Sequence, residues 1–335
     1  MARREHGGDP RAALAQVEPG GRAHDDVLDL STGINPVSYR FRPLSGSVWA
    51  ALPAQGQMEG LLSAARVYYG LPDETGIAAA PGSQALIQLL PRIMGLSRAR
   101  ILGPTYNEHG HVWASQVDDV AEVDQLPDAL PDGALVIVNP NNPDGRRTGI
   151  RQLEAAAASQ TEAGGWLVVD EAFVDVEPDL SAVSLCPRFN VIVLKSFGKF
   201  FGLAGLRLGF AVASRSMCAD IEAALGPWAI SGPALSIGTE ALANRPWQTS
   251  NRQRLAEDCG KLDHLLTERG LHVVGGTSLF RLVEAERAQD IYRSLLSAGI
   301  YVRKFAAHPR WLRFGVPDSA GLAQLRSAFG KISAR

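Results

Sequence analysis

The feature that most constrains this chain is a set of short runs in which every residue is apolar. Ala134-Leu135-Val136-Ile137-Val138, Trp166-Leu167-Val168-Val169 and Val191-Ile192-Val193-Leu194 show no polar alternation. Runs of this kind read as parallel strands covered on both faces, and each leads into polar or turn-forming residues. Further strands are expected near 100–103 and 207–213. Helical stretches separate them, such as Ile150 to Glu162, whose Ala-rich interior favours helix. The rhythm implies an α/β fold, a mostly parallel sheet sandwiched by helices.

Beyond about residue 225 the pattern changes. Longer helices are expected around Pro233 to Ala243 and Asn251 to Glu268, then short strands near Leu271, Ser278 and Ile300, and a closing helix from Ser319. That describes a smaller α+β domain. The expected organisation is an N-terminal segment, 1–45, packing with the small domain and the active site, a large α/β domain, 46–224, and the small domain, 225–335.

A chain of 335 residues with 46% hydrophobic content and a formal net charge of −2 can bury a large core. It lacks the basic excess of a nucleic-acid binder. The opening Met1-Ala2-Arg3-Arg4-Glu5-His6 has no apolar secretion signal, and no run approaches membrane-spanning length. Cys186, Cys218 and Cys259 are scattered without metal spacing, which suggests a reducing compartment; a cytoplasmic location is expected, with no membrane or nucleic-acid partner. His109 and His111 could ligate a metal from one strand face, but no matching ligands stand nearby in sequence, and no metal is expected.

Chemistry concentrates where the apolar runs end. After Val191–Leu194 the chain delivers the Ser196 hydroxyl, the Lys199 amine and the Arg207 guanidinium, with glycines at 198, 202, 205 and 209 that let backbone pass close to a ligand. A surface lysine after a core strand would account for Lys199 alone. It does not account for Ser196 and Arg207 at those offsets, which suit an amine placed to form an imine beside groups that hold a phosphate.

The spacing Ser-x-x-Lys followed by Gly-Leu-Arg-x-Gly resembles the lysine segment of fold-type I pyridoxal phosphate enzymes, the aspartate aminotransferase superfamily. The resemblance implies pyridoxal 5′-phosphate as cofactor. It also implies a homodimer, because active sites in that superfamily are shared between subunits. Such a cofactor requires a buried carboxylate beside its ring nitrogen, and Asp170 is the candidate, with Glu171 structural. A metal-binding carboxylate pair is the alternative reading of Asp170-Glu171. Its phosphate needs backbone donors, and Gly82, Ser83 and Gln84 open an amphipathic run that can supply them together with Ser196 and Arg207. Taken alone, Ser83 is equally well explained as an ordinary helix N-cap.

Other roles come from the family match. Asn142, in Asn139-Pro140-Asn141-Asn142-Pro143-Asp144-Gly145, corresponds to the donor to the cofactor's phenolic oxygen. Tyr106 corresponds to the aromatic that stacks on the ring, and Arg313, in Trp311-Leu312-Arg313-Phe314-Gly315, to the grip on the substrate carboxylate. Lys199, Asp170 and Tyr106 are thus the catalytic candidates.

His6-Gly7-Gly8-Asp9 and Ser31-Thr32-Gly33-Ile34-Asn35-Pro36 resemble the start of the threonine-phosphate decarboxylase group of cobalamin biosynthesis. That likeness implies a phosphorylated amino acid substrate and adds His6, Ile34 and Asn35 to the substrate-binding candidates beside Asn142 and Arg313. A terminus with no binding role is the alternative for His6. Arg303 and Lys304 are further candidates for the substrate phosphate, with a merely solvated basic pair on a strand as the alternative reading. The related histidinol-phosphate aminotransferases share the lysine segment and the Asn-Pro-Asn-Asn-Pro loop, so aminotransfer on a phosphorylated substrate stays open. Three departures stand out: Phe173 occupies the place of the usual cofactor-facing Tyr, Asp144 that of a Thr, and Gln57 lies where relatives send a Tyr to a neighbouring subunit's phosphate.

Overall fold

The computed structural model describes residues 7–15 and 27–332. Two compact units divide it, Ser38–Gln248 and a second composed of the N-terminal stretch to Val37 with Thr249 onward. Relative to the expected limits at 45/46 and 224/225, the helix Gly232–Ala243 lies with the larger unit. Packing explains its membership: a Cβ at Gly238 would lie 2.6 Å from Leu208 Cδ2 and 2.8 Å from Leu61 Cδ1, so this helix rests directly on residues of the larger core.

The larger unit is built on a seven-stranded sheet. Its order is Gly76–Ala80, Gly209–Ala213, Val191–Ser196, Trp166–Asp170, Gly133–Val138, Arg98–Leu102 and Asp119–Val123. From Val191–Ser196 outward to Asp119–Val123 all pairings are parallel, whereas Gly209–Ala213 runs antiparallel to both its neighbours. The helices Ser83–Ile93, Asn107–Ala114 and Ile150–Glu162 intervene between strands. Leu86, Leu90, Ile101, Trp113, Val136 and Ile192 belong to one side of the core.

Two of these strands escaped the sequence reading. Gly76–Ala80 is largely alanine, a residue that favours helix in isolation, and it becomes a wholly buried strand only by pairing with Gly209–Ala213. Asp119–Val123 is an edge strand with exposed Asp119 and Glu122, so it carries no continuous apolar signal.

The register fixes where function can gather. Val138 pairs with Asp170 and Asp170 with Leu194, so the segments after three adjacent parallel strands emerge at one edge of the sheet. That edge is where open parallel sheets bind ligands.

The smaller unit has a five-stranded sheet ordered Leu28–Leu30, Ile300–Lys304, Trp311–Gly315, Phe280–Glu284, His272–Thr277. Leu28–Leu30 joins in parallel with Ile300–Lys304, and the remaining pairings are antiparallel. The strands expected near Leu271, Ser278 and Ile300 are His272–Thr277, Phe280–Glu284 and Ile300–Lys304, with Ser278 itself in the turn of the hairpin that joins the first two. Leu262, Leu266, Leu295, Phe314 and Leu325 contribute to this unit's core.

Candidate active site

In the larger unit, Lys199 lies on the helical turn Phe197–Phe200 that directly follows the Val191–Ser196 strand. A Cβ at Gly198 would lie 2.7 Å from Ala204 Cα, so only glycine lets the chain fold back there. Lys199 Nζ sits 5.8 Å from the centroid of the buried Phe173 ring.

Asp170 ends the neighbouring strand and is buried. Its Oδ2 lies 2.8 Å from His109 Nε2, and its Oδ1 accepts the Ala172 N–H at 3.1 Å. His109 is therefore a site residue that the sequence reading treated only as a remote metal candidate. His109 and His111 belong to the helix Asn107–Ala114, not to a strand, and among the described residues no group of three or more His, Cys, Asp or Glu could hold a metal ion. The available signal was helical spacing: Tyr106 at the cap and His109 one turn on face the same side.

Tyr106 donates its hydroxyl to Gln84 Oε1 at 3.2 Å, and its ring meets His109 edge-on at 6.2 Å. Gln84 Nε2 in turn donates to Glu108 Oε2 at 3.1 Å. Because the Gln84 side chain is engaged at both its ends, what it can offer an anion is its backbone N–H at the start of the Ser83–Ile93 helix. The N-cap of that helix is Gly82 and not Ser83, which is the first helical residue.

Gly82 has φ +88, and a Cβ there would lie 2.6 Å from Arg207 Nη2. A Cβ at Gly209 would lie 2.5 Å from Ser83 N. Two glycines thus let the helix start, the Arg207 guanidinium and the Ser196–Gly209 pair of the sheet close on one another. Donor N–H groups at a helix start beside a guanidinium form a cradle for a phosphate. Arg207 itself adopts left-handed backbone, φ 56 and ψ 62.

The loop carrying Asn142 is held from both sides. Asn141 accepts from Thr105 Oγ1 at 2.6 Å and donates to Asp144 Oδ1 at 2.8 Å, while Arg146 donates to the Gly103 carbonyl at 3.0 Å. Asp144 also accepts the Arg146 N–H at 2.9 Å, so the acid in place of threonine ties the loop together. Gln57 is exposed, and its Oε1 accepts the Ala54 N–H at 2.9 Å at the start of the Gln55–Tyr69 helix.

Glu171 has a different task from Asp170. It forms a buried ion pair with Lys195 and accepts from Ser181 Oγ at 2.7 Å and the Ala182 N–H at 2.6 Å. Lys195 also lies over the Tyr69 ring at 4.8 Å. The pair links the ends of the two strands that carry Asp170 and Ser196.

In the smaller unit, Arg313 is buried on the Trp311–Gly315 strand. Its Nη2 donates to the Ser31 carbonyl at 2.8 Å, and its guanidinium carbon lies 5.2 Å from the Phe280 ring. Arg303 is its direct antiparallel partner, which sets two guanidinium side chains on one face of the sheet. Like charges so arranged favour an anion between or beside them. Asn35 is buried, donates to Asn251 Oδ1 at 3.1 Å and accepts from Arg254 Nη2 at 2.6 Å and the Val37 N–H at 3.0 Å, which pins its segment to the Arg245–Glu268 helix. Ile34 beside it is half-buried, whereas His6 lies outside the described residues.

Among the described residues, no helix is long and apolar enough to cross a membrane. Residues 61–329 match the family aminotransferase class I and II. The chain is 43% identical over 333 residues to the threonine-phosphate decarboxylase of Sinorhizobium sp, covering 98% of each. It is 39% identical over 334 residues to the threonine-phosphate decarboxylase of Pseudomonas aeruginosa, covering 97% of this chain and 96% of that protein. A likeness of fold extends to the histidinol-phosphate aminotransferase of Sinorhizobium meliloti in complex with pyridoxal-5′-phosphate. That match has a TM-score of 0.80 at 18% identity and covers 96% of this chain and 94% of that one.

Proposed function

We propose, from the premise that this chain belongs to the aminotransferase class I and II family, that it decarboxylates L-threonine O-3-phosphate to (R)-1-amino-2-propanol O-2-phosphate using pyridoxal 5′-phosphate. The reaction serves cobalamin biosynthesis, in a cytoplasmic homodimer. Near full-length similarity to two proteins of that name supports the reaction.

The observation that carries the cofactor assignment is the buried Asp170–His109 pair at the end of the strand beside the one leading to Lys199. The glycine-walled cradle at Gly82, Ser83 and Arg207 fits a phosphate, and the buried carboxylate fits a protonated ring nitrogen. When bound, the cofactor supplies a cationic ring that draws electrons from the substrate Cα.

This chain's residues then divide the work. Lys199 would hold the cofactor through its amine, and the same amine would be the acid that gives a proton to Cα in place of the carboxylate lost as carbon dioxide. Asp170, braced by His109, keeps a proton on the ring nitrogen. Tyr106 would pack on the ring and Asn142 would donate to the phenolic oxygen, with Phe173 as an adjoining wall that carries no hydroxyl. Ser196, Arg207 and the N–H groups from Gly82 to Gln84 hold the cofactor phosphate. On the substrate side, Arg313 would take the carboxylate and Arg303 the phosphate, with His6 and Ile34 as further substrate ligands and Asn35 tying its segment to the Arg245–Glu268 helix.

Aminotransfer on a phosphorylated substrate is the second reading, favoured by the lysine segment and the Asn139–Gly145 loop. One assay separates them. Protein loaded with cofactor and given L-threonine O-3-phosphate should release carbon dioxide and an amino alcohol phosphate in equal amounts; a keto acid without carbon dioxide overturns decarboxylation.

A further inference from the structure

Ser31 connects the Gly7-Gly8 turn with Arg313. Its carbonyl accepts Arg313 Nη2 at 2.8 Å. Its hydroxyl accepts the Gly8 N–H at 2.8 Å and donates to Asp29 Oδ1 at 2.6 Å, and its own N–H donates to that same oxygen at 2.8 Å. Ser31 is fully buried. A residue held at its N–H and hydroxyl by Asp29 presents its carbonyl in a fixed direction.

Gly7 covers that carbonyl. A Cβ at Gly7 would lie 2.6 Å from Ser31 O and 2.8 Å from Ser31 Oγ, closer than any side chain tolerates, and the first of these is a backbone atom that cannot swing aside. Gly8 has φ +85, so the turn is built for glycine at both positions. Backbone packed this closely keeps water off the Arg313–Ser31 hydrogen bond, and a charge-assisted bond shielded from water holds its geometry more firmly.

We propose that Ser31 is a positioning residue for Arg313, and that Gly7-Gly8 is the cap that seals it. The device aims the guanidinium at the substrate carboxylate, so it acts on ligands that carry that group and not on those that lack it. The inference rests on the reading of Arg313 as the carboxylate ligand.

The substrate bears the carboxylate and the product does not, which supplies the test. Holoenzyme of wild type, Gly7→Ala, Ser31→Ala and Arg313→Lys is compared for the KM of L-threonine O-3-phosphate and the inhibition constant of 1-amino-2-propanol O-2-phosphate. Gly7→Ala should raise the KM about tenfold, the scale of one hydrogen bond to a charged group, and leave product affinity within about twofold. Ser31→Ala, which keeps the carbonyl, should give a smaller rise of the same kind. In the Arg313→Lys background Gly7→Ala should add little, because its route of action is gone.

If Gly7→Ala weakens substrate and product alike, or shifts neither, or adds its full effect on top of Arg313→Lys, the coupling through Ser31 is overturned. A wild-type protein that neither turns over threonine phosphate nor binds the product overturns instead the functional reading beneath it.

Discussion

His109 Nε2 and Asp170 Oδ2 lie 2.8 Å apart with both side chains buried, one at the first turn of a helix and the other at the end of a strand. The imidazole and the Ala172 N–H both aim this carboxylate. His109→Leu should therefore leave Asp170 in place with one oxygen underbonded, lowering the rate about tenfold or more. Asp170→Asn removes the charge itself and should cost more. Single-turnover rates of the two variants check the order; equal rates for wild type and His109→Leu count against a working role for the pair.

The buried Glu171–Lys195 pair gives a prediction about stability. Lys195→Met alone strands a carboxylate that also serves Ser181 and Ala182, and should cost about 3–5 kcal/mol. Replacing both, as Glu171→Leu with Lys195→Met, should recover only part of that loss, since no charge is left stranded but the Ser181 hydroxyl and Ala182 N–H lose their acceptor. Denaturant unfolding of the singles and the double checks whether the coupling has this sign.

Gly82→Ala tests the phosphate cradle. The new methyl meets the flexible end of Arg207, so the fold survives with a loss of about 1–3 kcal/mol from a backbone at φ 88 and ψ 154 that suits only glycine. The displaced guanidinium should weaken cofactor binding about tenfold. Titration with pyridoxal 5′-phosphate, followed by protein fluorescence, reads this without turnover.

Phe173→Tyr restores a hydroxyl to a wall that Lys199 Nζ faces at 5.8 Å. A donor to the cofactor's phenolic oxygen favours its deprotonated form, so the pH midpoint of the bound cofactor's absorbance should fall. An unchanged midpoint shows that the hydroxyl does not reach that oxygen.

The three thiols predict a weakness at alkaline pH. Burial pushes Cys218 up to about 11 and Cys259 up to about 12, and it raises Cys186 and the Tyr69 hydroxyl as well. The folded chain therefore keeps protons that the unfolded chain sheds above about pH 8.5, and stability falls as pH rises from there toward 11–12. Each thiol contributes up to about 1.4 kcal/mol per pH unit in that window. Melting temperatures should be level from pH 7 to 8 and fall beyond about pH 9, and thiol reagents at pH 8 should label none of the three until the protein is unfolded.

The order of motifs was legible because the chemistry sits directly after apolar strands, where sequence and structure coincide. Asp170 ends one buried run and Lys199 follows another within three residues, whereas Arg207 comes after a turn with no buried residue and leads into the Gly209–Ala213 strand. The parts that stayed hidden depend on partners distant in sequence. His109 acquires meaning only from Asp170, Asp144 only from Asn141 and Arg146, and the alanine strand Gly76–Ala80 only from its antiparallel neighbour. Asn35, expected to face substrate, spends its carbonyl oxygen on Arg254 and Val37, a tie that spacing along the chain does not reveal.

Arg207 holds a backbone conformation that a branchless residue would adopt with less strain, by about 1 kcal/mol. An Arg207→Gly chain should consequently resist unfolding better than the original when empty and lose that advantage once ligand is supplied. Durability and grip are thus set against each other at a single residue, and the chain has settled on grip.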